Sequence, residues 1–264
     1  VLGAIAGDMI GSPYEARRMD HVDFPLFRRA SRFTDDTVLT VALADSLLSN
    51  TPYTVLLKAY CRRYPDAGYG GAFIQWAASF DARPYGSWGN GSAMRVSPVA
   101  WAYDALHDVI AHAGESAAVT HDHAEGIRGA QALAAAIFLA RTGSDKAAIR
   151  HAIERDFHYD LAATVADYRA DYRFDVSCLV TVPQAITAFL ESTDFEDAIR
   201  KAISIGGDCD TLACMAGSIA EAHYGGVPES ILAEVYARLD APLIEVVQEF
   251  CARFRCGRPQ KRSF

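Results

Sequence analysis

Apolar residues in this chain recur at helical spacing in segment after segment, and nowhere do they alternate with polar ones over the length of a strand. Between Asp36 and Leu48, residues Val38, Val41, Ala42, Ala44 and Leu48 surround a largely buried cylinder. The stretch from Glu125 to Arg141 repeats the pattern with Ile127, Ala130, Leu133, Ala134, Ile137 and Phe138. The same reading predicts helices at Tyr53–Arg63, Ala72–Ser79, Ser97–Ala113, Asp145–Phe157, Val182–Leu190, Phe195–Ile205, Thr211–Tyr224, Glu229–Leu239 and Leu243–Phe254. The connections read as stops and caps: Asn50-Thr51-Pro52, Gly143-Ser144-Asp145, Ser192-Thr193-Asp194 and Gly225-Gly226-Val227-Pro228 each join a breaker to an N-cap donor. The expected fold class is all-α. Because no repeat or linker marks a boundary, one domain is expected over residues 1–255, with a basic tail over 256–264.

Composition narrows the function. With 264 residues, 51% of them hydrophobic, the chain can fill a sizeable core. A net charge of −8 without a basic stripe on any helix argues against a nucleic-acid phosphate footprint. The six cysteines form no Cys-x-x-Cys pair and no zinc spacing, which suits free thiols in a reducing compartment. No stretch is long and apolar enough for a membrane span, and no basic segment precedes an apolar one at the N-terminus, so a cytoplasmic location is expected.

Four stretches resist helix assignment: Gly11–Ser31, Asp81–Gly91, Thr120–His123 and Leu161–Thr181. Loops of such length in a small protein tend to carry function. Two acidic turns stand beside helix starts, Thr34-Asp35-Asp36-Thr37 and Gly206-Gly207-Asp208-Cys209-Asp210-Thr211. Helix capping accounts for one side chain in each turn. It does not account for two carboxylates and a hydroxyl in both, because up to four acids brought together repel one another unless cations intervene. Oxygen donors without an adjacent imidazole or thiolate favour Mg²⁺, Mn²⁺ or Ca²⁺ over zinc, and Cys209 is expected to point away. One cation or two would satisfy this pattern.

Two further segments carry candidate contacts. Gly86-Ser87-Trp88-Gly89-Asn90-Gly91-Ser92-Ala93-Met94-Arg95 is a glycine-rich turn opening a helix, a suitable cradle for a phosphate, although it matches neither the dinucleotide-binding nor the P-loop spacing. Thr120-His121-Asp122-His123-Ala124-Glu125-Gly126 has two histidines and flanking acids, but nothing completes a histidine-based metal site, and hydrogen bonding to a ligand is the better reading.

In this order, and with the opening Gly3-Ala4-Ile5-Ala6-Gly7-Asp8-Met9-Ile10-Gly11-Ser12-Pro13-Tyr14-Glu15, these motifs closely resemble the ADP-ribosylglycohydrolase family over most of the chain. The resemblance implies a compact orthogonal multi-helix bundle with a dinuclear centre of two divalent cations, Mg²⁺ or Mn²⁺, held by Thr34, Asp35, Asp36, Asp208, Asp210 and Thr211. It implies substrate contacts from Gly89, Asn90, Gly91, Ser92, Met94 and His121, with Phe174 a candidate to stack on adenine unless it is a core aromatic. Glu15 matches the glutamate of a flap that reaches toward the metals in some members, so Glu15, Asp35, Asp36 and Asp208 are the candidate proton acceptors. The implied reaction is hydrolysis of the glycosidic bond between ADP-ribose and a protein or small-molecule acceptor, releasing ADP-ribose, with a nucleic-acid linkage left open. Two alternatives stand beside it: a non-catalytic ADP-ribose-binding or crystallin-like protein, and a hydrolase of another nucleotide N-glycoside.

Overall fold

The computed structural model describes residues 1–15 and 18–256; most of the expected basic tail, residues 257–264, lies outside them. The described residues form α-helices and no strand, with a single isolated antiparallel bridge between Gly89 and Ser177. In order the helices are α1 (Leu2–Gly11), α2 (Asp35–Ser49), α3 (Tyr53–Arg63), α4 (Gly71–Ala78), α5 (Gly91–Met94), α6 (Ser97–Ala102), α7 (Leu106–Ala118) and α8 (Ala124–Arg141). Then follow α9 (Lys146–Phe157), α10 (Val165–Ala170), α11 (Cys178–Glu191), α12 (Phe195–Ile205), α13 (Cys209–Tyr224), α14 (Glu229–Tyr236) and α15 (Ala241–Phe254). Among the described residues no helix is long and apolar enough to cross a membrane.

Helix α13 is the axis of the packing. Every residue from Cys209 to Ala222 is buried, as expected of a helix with almost no polar face, and α1, α8, α11 and α12 pack around it. Its contact with α1 is the closest in the molecule. Gly3, Gly7 and Gly11 recur every four residues and so share one face of α1. A Cβ on Gly3 would run into the carbonyl of Gly217, one on Gly7 into that of Ala213, and one on Gly11 would lie 2.5 Å from Cα of Asp210. The two backbones therefore touch directly, which only glycine allows on this face.

Several expected boundaries move, each for a local reason. Helix α1 is absent from the periodicity reading because it is apolar on all sides and rich in glycine, which leaves no amphipathic signal. The single helix expected over Ser97–Ala113 is two, with Tyr103 and Ala105 in extended conformation between them. The buried Arg141 donates to the Tyr103 carbonyl, which replaces the helical acceptor role of that oxygen, and Tyr103 stacks on His112 at 4.1 Å. The stretch Leu161–Thr181 is not all irregular: Thr164 and Asp167 form a capping box that starts α10, and Ser177 caps α11. Pro183 then falls inside α11, not near its start.

Substituting Gly7→Ala should destabilise the fold by about 3 kcal/mol, the upper range for forcing a methyl group into a packed interior, because the obstruction is backbone and cannot rotate away. Urea denaturation followed by circular dichroism measures this, and an unchanged midpoint would show that α1 and α13 can separate freely.

Candidate active site

Both acidic turns sit at helix N-termini aimed into one cleft. Thr34 is the N-cap of α2, with Asp35 and Asp36 in its first turn, and Asp208 is the N-cap of α13, with Asp210 and Thr211 following. The second turn depends on Gly206 and Gly207, whose φ angles of 86° and 82° reverse the chain between α12 and α13. Ordinary residues rarely adopt such angles.

The turns meet at side-chain level. Asp36 Oδ2 accepts the Thr211 hydroxyl at 3.3 Å and lies 3.3 Å from the Thr34 hydroxyl oxygen, while Asp36 Oδ1 is buried without a partner among the described residues. Asp210 Oδ1 accepts the Thr211 N–H at 3.0 Å, and Asp208 Oδ2 accepts the Asn90 amide at 2.7 Å. Two sets of carboxylates lie close enough to share an ion: Asp8, Asp36 and Asp210, and Glu15, Asp208 and Asp210, with oxygens within 4.8 Å of one another in each. Among the described residues no Lys, Arg or His forms an ion pair with any of them.

Asp8 was not singled out by sequence reasoning, and it organises the first turn. Its carboxylate, fully buried on α1, accepts the Thr34 N–H at 2.9 Å, the Thr34 hydroxyl at 2.7 Å, the Thr37 N–H at 3.1 Å and the Thr37 hydroxyl. It thus caps α2 from another helix. Because the Thr34 proton points at Asp8, the hydroxyl oxygen keeps a lone pair for a cation. The available signal was a lone acid inside an otherwise apolar helix.

The electrostatics follow from burial and crowding. Burial, then the charges of Asp8 and Asp208, push the Asp35 carboxyl up to about 7. Burial raises Asp8 to about 6, outweighing the donors that surround it. Asp36 and Asp210 rise well above the usual carboxylate range through burial and their acidic neighbours, and Glu15 rises through burial and the charge of Asp208. An all-oxygen donor set with one orphaned buried oxygen and no ion-paired cation among the described residues fits a hard divalent cation. Cys209 is not part of it; its thiol turns to the carbonyl of Ile203 at 3.6 Å.

The cleft has a volume of about 370 Å³ and is lined by Glu15, Asp35, Asp36, Asp208 and Asp210 together with Gly89, Asn90, Gly91, Met94 and His121. The glycine turn is held in place by the 176–178 segment: Asn90 N–H donates to the Val176 carbonyl at 2.8 Å and Cys178 N–H to the Trp88 carbonyl at 3.1 Å. Two candidates fall outside the lining. Ser92 is buried and spends its hydroxyl on the carbonyl of Gly126 at 2.7 Å. Phe174 is exposed, which removes the core-aromatic reading, and it stands beyond the lining residue Val176.

A second glycine turn, Gly68-Tyr69-Gly70-Gly71, also lines the cleft and was missed by sequence reasoning. Gly70 and Gly71 have ordinary φ angles, and a Cβ on either would meet nothing within 4 Å, so nothing inside the protein requires glycine there. They begin α4, whose first turn has no side-chain cap. Bare N–H groups at a helix start form a ready anion site. The legible hint was a glycine pair just before an apolar helix.

A buried, oxygen-only acid cluster that could hold a cation thus lies beside uncapped glycine turns that could hold an anion, within one cleft. Residues 1–258 match the family model described as ADP-ribosylglycohydrolase, and the chain belongs to that family, whose members hydrolyse ADP-ribose linkages. It is 29% identical to the human ADP-ribosylhydrolase ARH3, over 86% of this chain and 85% of that one. It is 28% identical to the ADP-ribosylarginine hydrolase Tri1 of Pseudomonas putida, over 86% and 71% respectively. A solved ADP-ribosylglycohydrolase-related protein complex aligns with 96% of this chain and 95% of that chain at a TM-score of 0.73 and 28% identity.

The raised carboxyls also set a pH dependence. Between the usual aspartate value of 3.8 and the Asp35 value of about 7, the folded state keeps protons that the unfolded chain has lost, so stability without cation falls as pH rises through that window. A cation takes the place of those protons. The gain in Tm from Mg²⁺ or Mn²⁺ should therefore be larger at about pH 8 than at about pH 5, as read by thermal denaturation. An equal gain at both would refute binding at these acids.

Proposed function

We propose that this chain hydrolyses the bond between the anomeric carbon of ADP-ribose and an acceptor group, using two divalent cations, Mg²⁺ or Mn²⁺, held by Thr34, Asp35, Asp36, Asp208, Asp210 and Thr211. The observation that carries the proposal is the partnerless buried oxygen of Asp36 in the middle of acids contributed by three different helices and a loop. When bound, the cations supply electrophilic charge that orients a ribose diol and acidifies water.

The chain's own residues do the rest. Asn90 holds the Asp208 carboxylate in one orientation, and Asp8 does the same for the Thr34 hydroxyl. Asp35, Asp36, Asp208 and Glu15 surround the position where positive charge develops on the sugar as its bond to the acceptor breaks, and one of these carboxylates takes the proton from water. Glu15 is the exposed member of its set, beside the buried Asp208 and Asp210. On the other side, the N–H groups at the start of α4 and the Gly89–Gly91 turn receive the diphosphate. Trp88, exposed between the lining residues Ser87 and Gly89, offers a flat apolar face for a base, as does Phe174.

Asp36→Asn should reduce cation-dependent turnover of ADP-ribosylated substrates by about 100-fold or more, with helical content by circular dichroism unchanged. A panel carrying arginine, serine and O-acetyl linkages serves as substrate. Full cation-dependent turnover by this variant would sink the cation proposal. Gly71→Ala gives a complementary test. Since the added methyl group meets nothing in the protein, stability should hold or rise by about 0.5 kcal/mol. ADP-ribose affinity measured by calorimetry should nevertheless fall by about tenfold, as one anion contact is lost. Unchanged affinity would remove the α4 turn from the binding site.

A further inference from the structure

The Thr120–His121 pair follows the end of α7, and His121 reaches the cleft. His121 is almost wholly buried, yet its ring edge lines the cleft beside the glycine turn, with Nε2 3.2 Å from where a Cβ on Gly91 would stand. Its other nitrogen, Nδ1, lies 2.7 Å from the hydroxyl of Thr120. That hydroxyl in turn accepts the Nη2 proton of Arg95, at 2.8 Å, from a guanidinium that is itself fully buried and also donates to the Ser116 carbonyl at 3.0 Å.

We infer that Arg95 and Thr120 are positioning residues acting through His121: they hold its imidazole in the neutral tautomer with the proton on Nε2, presented to the cleft as a hydrogen-bond donor for a substrate oxygen. The inference rests on the ADP-ribose reading for the identity of that oxygen, which belongs to a hydroxyl or phosphate of the substrate.

The buried donors and acceptors admit one arrangement of protons. Arg95 can only donate, so it consumes a lone pair of the Thr120 oxygen and leaves the hydroxyl proton to be placed. Thr120 is fully buried, and among the described residues the one acceptor within reach of its hydroxyl is His121 Nδ1. A buried hydroxyl without an acceptor is costly, so Nδ1 must be the lone-pair nitrogen and Nε2 must carry the proton. In the opposite tautomer Thr120 would accept from both Arg95 and Nδ1–H, and its own buried proton would have no acceptor. The charged form would do the same, and burial together with the neighbouring Arg95 charge already holds His121 well below the ordinary histidine range. Among the described residues Nε2 itself donates to no protein acceptor, which leaves that proton for the cleft's occupant.

The sequence order also makes sense on this basis. Arg95 closes the glycine turn that His121 flanks, so one side chain ties the end of the turn to the ring beside it. A Cβ on Gly91 would crowd the ring, 3.2 Å from Nε2 and 3.3 Å from Cε1.

The test reads the tautomer directly. Long-range ¹H–¹⁵N NMR of the full chain without ligand, with the His121 signals assigned by their loss in His121→Gln, should show Nε2 protonated and Nδ1 bare near neutral pH. Thr120→Ser keeps the hydroxyl and should keep that pattern, whereas Thr120→Val should shift His121 toward a tautomer mixture. ADP-ribose affinity should follow, falling about tenfold in Thr120→Val and returning in Thr120→Ser. A wild-type His121 that is protonated on Nδ1 or charged overturns the inference, and so does an unaltered tautomer in Thr120→Val. The wild-type spectrum needs no variant to fold. If wild-type protein fails to bind ADP-ribose, the substrate reading fails, while the spectrum still decides the tautomer.

Discussion

The site depends on one contact, the glycine face of α1 lying directly against the backbone of α13. With any side chain at Gly3, Gly7 or Gly11 the two helices would stand farther apart, and the distances that follow from their closeness would be lost. Asp8 leaves α1 one residue after Gly7, and Asp210 opens α13 against Gly11, so the same contact sets the spacing of both carboxylates. Asp8 then reaches α2 and fixes its first turn through four hydrogen bonds. Three helices distant in sequence are thereby registered to one another by a strip of glycines and a saturated carboxylate.

The cleft divides its charge work among helix starts. Those of α2 and α13 carry acidic side chains in their own first turns, which satisfy the local dipole and leave surplus negative charge facing inward. The start of α4 carries glycines and no capping side chain, so its N–H groups remain available. The same backbone feature thus yields a cation-binding environment where the sequence places Asp and Thr and an anion-binding one where it places Gly-Gly.

Much of this was legible in the sequence because the signals were local. Helices such as Tyr53–Arg63 and Phe195–Ile205 have the bounds that periodicity and caps predict, and the two acidic turns announce themselves by carrying more carboxylates than capping needs. What escaped was non-local. Helix α1 has no polar face to mark it, and its function as a spacer becomes visible only with α13 beside it. The role of Asp8 exists across 26 and 29 residues of separation, and that of Arg141 in parting α6 from α7 across 38. Ser92 was misjudged for the same reason: position in a glycine turn suggests a ligand contact, but the direction of its hydroxyl is decided by a carbonyl 34 residues away.

The acids and the substrate pose an electrostatic problem that neither solves alone. A diphosphate entering a cleft that holds Glu15, Asp35, Asp36, Asp208 and Asp210 meets more negative charge than the lining Arg32 and Arg95 and the dipoles of the glycine turns offset. On the proposed reading, cations at the acid cluster would reverse the sign of the field on that side and stabilise the carboxylates at the same time. Cation and substrate binding then become thermodynamically linked, and the linkage must be reciprocal, each raising the affinity of the other by the same factor. On this account the buried acids are unfavourable as a structural feature and are retained because their repulsion gives the cations, and through them the substrate, something to relieve. His121 fits the same scheme: kept neutral by burial and the charge of Arg95, it would offer the occupant a proton donor without adding a fixed charge that would compete with the cations.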